Sequence, residues 1–146
     1  MSKLIIADAG GEFIGIPSKD VAEVVELPRI YPIPFALPML NGVAFWRGAL
    51  LTVVSMARLV SNGAEDNSAI FLRTAQPDDN LLLAVDKMED VIDYNEIKLS
   101  DRSEENVWKG LYPWNDEFAT VLDTRRLVLL LEEHVVNTLR LGIGGR

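Results

Sequence analysis

The 146-residue chain contains no cysteine and only one histidine, His134. Without cysteine it has no disulfide framework, no thiolate metal ligand and no thiol nucleophile. One imidazole cannot form a zinc site alone, and no serine stands in a context typical of a hydrolase nucleophile. The adjacent acidic pairs stand in polar, loop-like stretches, where nothing favours acid-base catalysis. The sequence therefore predicts no catalytic residue, no metal site and no cofactor.

Basic residues and long apolar runs are also scarce. Lys and Arg number 14 against 22 Asp and Glu, which gives a formal net charge of −8. No local run of Lys or Arg offsets this average, so phosphate backbones and anionic membranes are poor partners. No apolar stretch reaches the roughly 20 residues of a membrane span, and the first one is too short for a signal peptide. These absences predict a cytoplasmic protein that neither binds nucleic acid nor inserts directly into a membrane.

The residues that are present are typical of a globular protein. Hydrophobic residues make up 49% of the chain and charged residues 25%, and both classes are spread along its length. A chain of this length can bury one shared core, whereas much shorter units bury too little apolar surface to fold alone. We therefore predict a single domain over residues 1–146.

The chain also repeats itself. Residues 42–60 align without a gap on residues 110–128, and seven of the 19 pairs are identical, where average usage gives about one. The identical pairs are Gly42/Gly110, Trp46/Trp114, Thr52/Thr120, Val53/Val121, Arg58/Arg126, Leu59/Leu127 and Val60/Val128. Weaker matches join residues 21–30 to 88–97 and residues 4–7 to 70–73. These matches predict an internal duplication, approximately residues 3–66 and 69–132.

Each half consists of short apolar runs separated by turn signals. The turns at residues 9–12 and 76–80 lie between β-rich runs, as hairpin connections do, and prolines make the stretch after residue 27 helix-poor. Short strands at close spacing indicate small barrels or a sandwich. The duplication ends after Val128, where the spacing of apolar residues predicts a C-terminal helical extension over residues 129–146.

The repeat separates framework residues from candidates for function. Trp46 and Trp114 occupy equivalent positions, which favours a structural role in both halves. Arg47 has Asn115 as its counterpart, so the repeated fold does not itself require arginine there. Arg47 is therefore the best candidate for a partner contact, because a guanidinium beside exposed apolar surface can both stack and form bidentate hydrogen bonds. The alternative for Arg47 is a local ion pair.

The stretch at residues 40–55, LNGVAFWRGALLTVVS, resembles the signature of the CheW family, the adaptor proteins of bacterial chemotaxis. In that signature a Gly-Val strand leads to Arg-Gly and then to a hydrophobic strand. Further agreement lies at residues 21–25 with the prolines after them, at residues 83–92 and at residues 121–128. The resemblance covers roughly residues 4–131. It implies a mostly β fold of two SH3-like five-stranded barrels.

The resemblance also implies a function. The chain would be a non-enzymatic adaptor that bridges the regulatory domain of a CheA-type histidine kinase and the cytoplasmic tip of a methyl-accepting chemoreceptor. The family's receptor contacts map onto Val21, Glu23, Arg47 and Ala69, along the cleft between the barrels. Its kinase contacts map onto Ile30 and Gly42. A cleft edged by Glu23 and Arg47 suits a helical partner, whose orientation the charges would set.

Two residues depart from the family pattern. Thr52 replaces a common proline, and Ser55 stands where the strand usually ends in aspartate, although serine can still cap the following turn. These departures leave room for a specialised pathway, such as pilus-driven motility. Two alternatives to the coupling role also stay open. One is a small-molecule-binding or enzymatic β-barrel domain with the loop at residues 93–117 as a lid. The other is a free-standing copy of the kinase's own regulatory domain.

Overall fold

The computed structural model of the protein describes residues 2–26, 28–33, 37–61, 64–75, 80–100 and 106–133. Within these residues the fold is mostly β, as predicted. The strands are β1 Lys3–Ala9, β2 Glu12–Pro17, β3 Val21–Val25, β4 Ile30–Tyr31, β5 Leu40–Trp46, β6 Ala49–Ser55, β7 Ile70–Thr74, β8 Leu81–Val85, β9 Lys87–Asp93, β10 Trp108–Trp114 and β11 Glu117–Leu122. Helix α1 spans Met56–Val60, and residues 124–133 form a second helix, α2. Short 3-10 turns lie at Ser18–Asp20 and Glu96–Lys98.

The described strands form two sheets. The five-stranded lobe has the order β10-β11-β2-β1-β9, and the six-stranded lobe has the order β3-β7-β8-β6-β5-β4. The sixth strand of the second lobe is the two-residue β4, which pairs with β5 at the edge of the sheet. The prediction of five strands in each lobe therefore omits one short edge strand.

The lobes do not follow the two predicted repeats. Strands β1 and β2 belong to the first repeat but pair with β9 to β11, and strands β7 and β8 of the second repeat complete the other sheet. In each sheet, strands from the two halves meet in one parallel pair. The two pairs are equivalent, because Thr120 on β11 faces Ile14 on β2 and its counterpart Thr52 on β6 faces Leu81 on β8. The first half of the chain thus contributes the β1–β2 hairpin to the five-stranded lobe, and the second half contributes the β7–β8 hairpin to the six-stranded lobe.

Among the described residues, buried apolar side chains form three clusters. One lies in the six-stranded lobe and includes Val25, Leu51, Val53, Phe71 and Leu82. A second lies in the five-stranded lobe and includes Leu4, Ile6, Tyr112, Ala119 and Val121. The third takes side chains from both sheets and both helices, among them Ile14, Met56, Leu72, Leu83, Leu122 and Leu127. This shared core joins the lobes, because its members pack against residues of both sheets.

The two helices start in the same way. The Ser55 side chain accepts a hydrogen bond from the Arg58 backbone N–H at 3.3 Å, which confirms the capping role expected of this serine. The Asp123 carboxylate accepts from the Arg126 N–H at 3.2 Å, so α2 begins at residue 124, before the predicted start at 129. Leu127 is buried in the shared core, so the described part of α2 packs against that core. Residues 134–146 of the predicted extension lie outside the described residues.

Candidate functional site

Arg47 lies at the tip of the β5–β6 hairpin in a conformation that suits it poorly. Its φ is 48° and that of Gly48 is 79°, while the equivalent Asn115 and Asp116 have φ values of 46° and 60°. Two consecutive positive φ angles are typical of a type I′ hairpin turn, which favours Asn and Gly. Arginine is uncommon at positive φ because its Cβ crowds the backbone. The turn therefore gives no reason for an arginine at this position.

The contacts of Arg47 are made with a carboxylate and an indole. The Glu23 carboxylate accepts from Trp46 Nε1 at 2.6 Å and from Arg47 Nη1 at 3.0 Å, and Arg73 Nη1 lies 3.7 Å from it. The Arg47 guanidinium carbon lies 5.3 Å from the centre of the Trp46 ring, within cation–π range. We call these four residues the Glu23 cluster. Their contacts hold the guanidinium and include the local ion pair that the sequence left open as the alternative to a partner contact.

Exposure within the Glu23 cluster is uneven. The Arg47 side chain is 69% exposed, whereas the side chains of Glu23 and Arg73 are 25% and 18% exposed. Trp46 is half-buried and packs against the core of the six-stranded lobe. Arg47 is therefore the member of the cluster that is most open to a partner, and the other three hold it.

The other receptor contacts implied by the resemblance lie on the same strand pair. Strand β3 pairs antiparallel with β7, so that Val21 faces Thr74, and Glu23 faces Arg73. Ala69 immediately precedes β7, and its N–H donates to the Val85 carbonyl at 3.0 Å. The structure thus brings Glu23 and Arg47 into contact, whereas Val21 and Ala69 lie at opposite ends of the β3–β7 pair.

The two implied kinase contacts meet where β4 pairs with β5. Ile30 faces Ala44 across this pair and is half-buried against the core of its lobe. Gly42 is buried at a bulge in β5 with φ of 141°, and a Cβ there would lie 2.2 Å from the Tyr31 carbonyl oxygen. Only glycine permits this close approach of β4. Gly42 therefore allows strand β4 to lie directly against β5.

The surface beside Ile30 and Gly42 is mostly apolar, and the sequence did not predict most of its residues. Tyr31, Phe45 and Leu50 are 43%, 64% and 55% exposed. The rings of Tyr31 and Phe45 stand edge to face at 6.1 Å, Phe45 faces Leu50 across the β5–β6 pair, and the Arg29 guanidinium lies 5.5 Å from the Tyr31 ring centre. We call these four residues the Tyr31 face. One signal in the sequence could have identified Phe45 as a candidate for function. Its counterpart in the second half is Pro113, so the repeated fold does not require phenylalanine at this position.

The structure also bears on the other kinds of site. The part of the chain that it describes holds no group of three or more His, Cys, Asp or Glu side chains able to bind a metal. No helix within those residues is both long and apolar enough to cross a membrane. A cavity of about 490 Å³ is lined by Ser2, Lys3, Pro17, Ser18, Lys19, Tyr94, Asn95 and Glu96. It includes no member of the Glu23 cluster, and its one lining carboxylate, Glu96, lies 3.3 Å from Lys109 Nζ.

Comparisons with known proteins agree with this architecture. The crystal structure of the scaffolding protein TtCheW from Thermoanaerobacter tengcongensis matches with a TM-score of 0.67 at 20% sequence identity, over 83% of this chain and 88% of that one. This likeness concerns the fold, and it confirms the predicted pair of SH3-like barrels. No curated protein sequence matches the chain. The family model of the CheW-like domain matches residues 3–132. The chain therefore belongs to the CheW-like family, whose members are non-enzymatic adaptor scaffolds of chemotaxis signalling.

Proposed function

We propose that this chain is a cytoplasmic adaptor that couples a CheA-type histidine kinase to chemoreceptors. It would hold the two partners through separate surfaces, the Glu23 cluster and the Tyr31 face. The observation that carries the proposal is the Arg47 guanidinium, which is 69% exposed and yet held by both Glu23 and Trp46. A charged side chain that is ordered before binding loses less conformational entropy when a partner arrives.

The Glu23 cluster is the proposed receptor surface. The N–H groups of Arg47 that do not bind Glu23 can form hydrogen bonds with a partner carboxylate, while one face of the guanidinium remains on the Trp46 ring. Val21 and Ala69 extend the same strand pair in both directions, which supports contact with an elongated element such as a helical receptor tip. Charges at such a surface set the orientation of the partner more than they set affinity.

The Tyr31 face is the proposed kinase surface. It groups exposed apolar side chains at the edge of the six-stranded lobe, and aromatic residues of this kind are enriched at interface centres. Ile30 lies in the same strand, and Gly42 allows that strand to sit against β5. Phe45 of this face and Trp46 of the Glu23 cluster are consecutive residues, so one hairpin serves both surfaces.

Binding measurements with separate partners test the proposal. Arg47→Ala should weaken binding of a chemoreceptor cytoplasmic fragment about tenfold, and Phe45→Ala should do the same for the kinase regulatory domain, in the range of interface hot spots. Asn115→Ala and Phe118→Ala are the matched controls, because they change the second hairpin and a similarly exposed phenylalanine in the other lobe. All four variants should melt within a few degrees of the wild type.

The outcomes separate the alternatives. If the intact protein binds neither partner at concentrations of tens of micromolar, where transient signalling contacts are detectable, the coupling role is wrong. If the control variants weaken binding as much as Arg47→Ala and Phe45→Ala, the two surfaces are assigned to the wrong lobe.

A further inference from the structure

Arg29 occupies a position where the second half of the chain carries the opposite charge. In the alignment of residues 21–30 with 88–97, its counterpart is Glu96. Glu96 lies 3.3 Å from Lys109 Nζ in the five-stranded lobe, so its charge has a counter-charge within the protein. The repeated fold therefore does not require arginine at position 29, and the two lobes differ in charge at this point.

The Arg29 side chain is exposed and contacts an aromatic ring. Its guanidinium carbon lies 5.5 Å from the centre of the Tyr31 ring, within cation–π range. Among the described residues, no carboxylate or carbonyl oxygen accepts a hydrogen bond from its N–H groups. The guanidinium is planar and carries its N–H donors along its edges, so contact with a ring leaves these donors available to a partner.

The ring that Arg29 contacts belongs to an exposed apolar surface. Tyr31 stands edge to face with Phe45, which is 64% exposed and faces Leu50 across the β5–β6 pair. A partner that covers these side chains also removes water from Arg29. An arginine that loses water without gaining a counter-charge weakens binding, whereas one that gains a carboxylate orients the partner. The Tyr31 face therefore favours a partner whose apolar side chains lie beside a carboxylate.

We propose that Arg29 is a specificity-determining residue of the proposed kinase surface. It binds a carboxylate of the kinase regulatory domain that lies next to apolar side chains, while the Tyr31 ring holds the guanidinium. A regulatory domain with an apolar patch but no adjacent carboxylate would bind more weakly. This inference rests on the proposed kinase coupling and adds the chemistry of the partner segment.

Binding of the kinase regulatory domain, measured by isothermal titration calorimetry over a series of salt concentrations, tests the inference. Arg29→Met removes the charge and the donors but keeps most of the side-chain length. It should weaken binding at low salt about three- to tenfold and make binding less dependent on salt. Arg29→Glu, which reverses the charge, should weaken binding further. Lys98→Met is the matched control and should bind like the wild type, because it removes one positive charge from the exposed 3-10 turn of the other lobe.

A second arm identifies the partner group. Each exposed Asp or Glu beside apolar surface of the regulatory domain is changed to Asn or Gln. One of these changes should weaken binding of the wild type by a similar factor and have little effect on binding of Arg29→Met.

The outcomes distinguish this inference from the proposed function. If no carboxylate of the regulatory domain couples to Arg29, or if Arg29→Met binds as tightly as Lys98→Met, the inference is wrong although the coupling role stands. A loss with Arg29→Met that is equal at all salt concentrations and comes with a lower Tm reflects a structural role and also overturns the inference. If the wild type does not bind the regulatory domain, the proposed function fails and the inference fails with it.

Discussion

Replacing Gly42 with alanine would place a methyl group inside the contact between β4 and β5. The added carbon would lie 2.2 Å from the Tyr31 carbonyl oxygen and 2.9 Å from its carbonyl carbon. Both are backbone atoms, so neither can rotate away as the end of a side chain would. The φ of 141° at Gly42 is also a conformation that L side chains rarely adopt. Strand β4 must therefore move away from β5, or β5 must lose its bulge.

The expected cost follows from these two effects. Backbone strain of this kind costs about 1–3 kcal/mol, and forcing extra volume into a packed contact costs about 1–3 kcal/mol more. We expect Gly42→Ala to lower the free energy of unfolding by about 2–6 kcal/mol, which for a chain of this size corresponds to a fall in Tm of roughly 5–20 °C. Binding at the proposed kinase surface should fall as well, because the displaced strand carries Tyr31.

Equilibrium unfolding in urea, followed by far-UV circular dichroism, measures the change. Gly48→Ala is the matched control, since Gly48 has φ of 79° but nothing lies within 4 Å of the added carbon. It should cost only the penalty of the left-handed conformation, about 1 kcal/mol. If Gly42→Ala destabilised the protein no more than Gly48→Ala, the close approach of β4 would not matter energetically.

Two further predictions concern the helix cap and a surface pair. Ser55→Ala should lower the free energy of unfolding by about 1 kcal/mol, and stability equal to that of the wild type would contradict the capping role. The Lys3 side chain hydrogen-bonds the Asp93 carboxylate and holds its pKa below its usual range. The pair therefore stabilises the fold at neutral pH, and this contribution is lost as the pH falls through the folded-state pKa. Asp93→Asn should lower Tm slightly at neutral pH and less in acid, and an equal loss at both would count against the pair.

The local architecture could be predicted because it depends on nearby residues. The predicted turn at residues 9–12, which joins β1 to β2, and the capping role of Ser55 both depend on side chains within a few positions of the chain. The short apolar runs at close spacing, separated by turn signals, likewise indicated a mostly β fold. These features depend on φ preferences and side-chain types, which the sequence displays directly.

The pairing of distant strands could not be predicted in the same way. Two similar halves fit equally well into two separate barrels or into lobes that each borrow a hairpin, because a repeat gives no information about which half supplies a neighbouring strand. Arg73 contacts Glu23 because of the register in which β3 pairs with β7, and none of the sequence motifs described above includes this arginine. The exposure of Tyr31, Phe45 and Leu50 depends on the edge position of β4. Each of these features is a property of the assembled sheets.

Because each half lends a hairpin to the other lobe, the order of synthesis matters for folding. When only the first half of the chain has been synthesised, β1 lacks its partner β9. One edge of β6 likewise stays unpaired until β8 has been made. The sheets close through contacts between residues far apart in sequence, which slows folding and makes it depend on nearly the whole chain. The two lobes should therefore unfold in one cooperative transition, and cutting the chain between the halves would not yield two smaller adaptors.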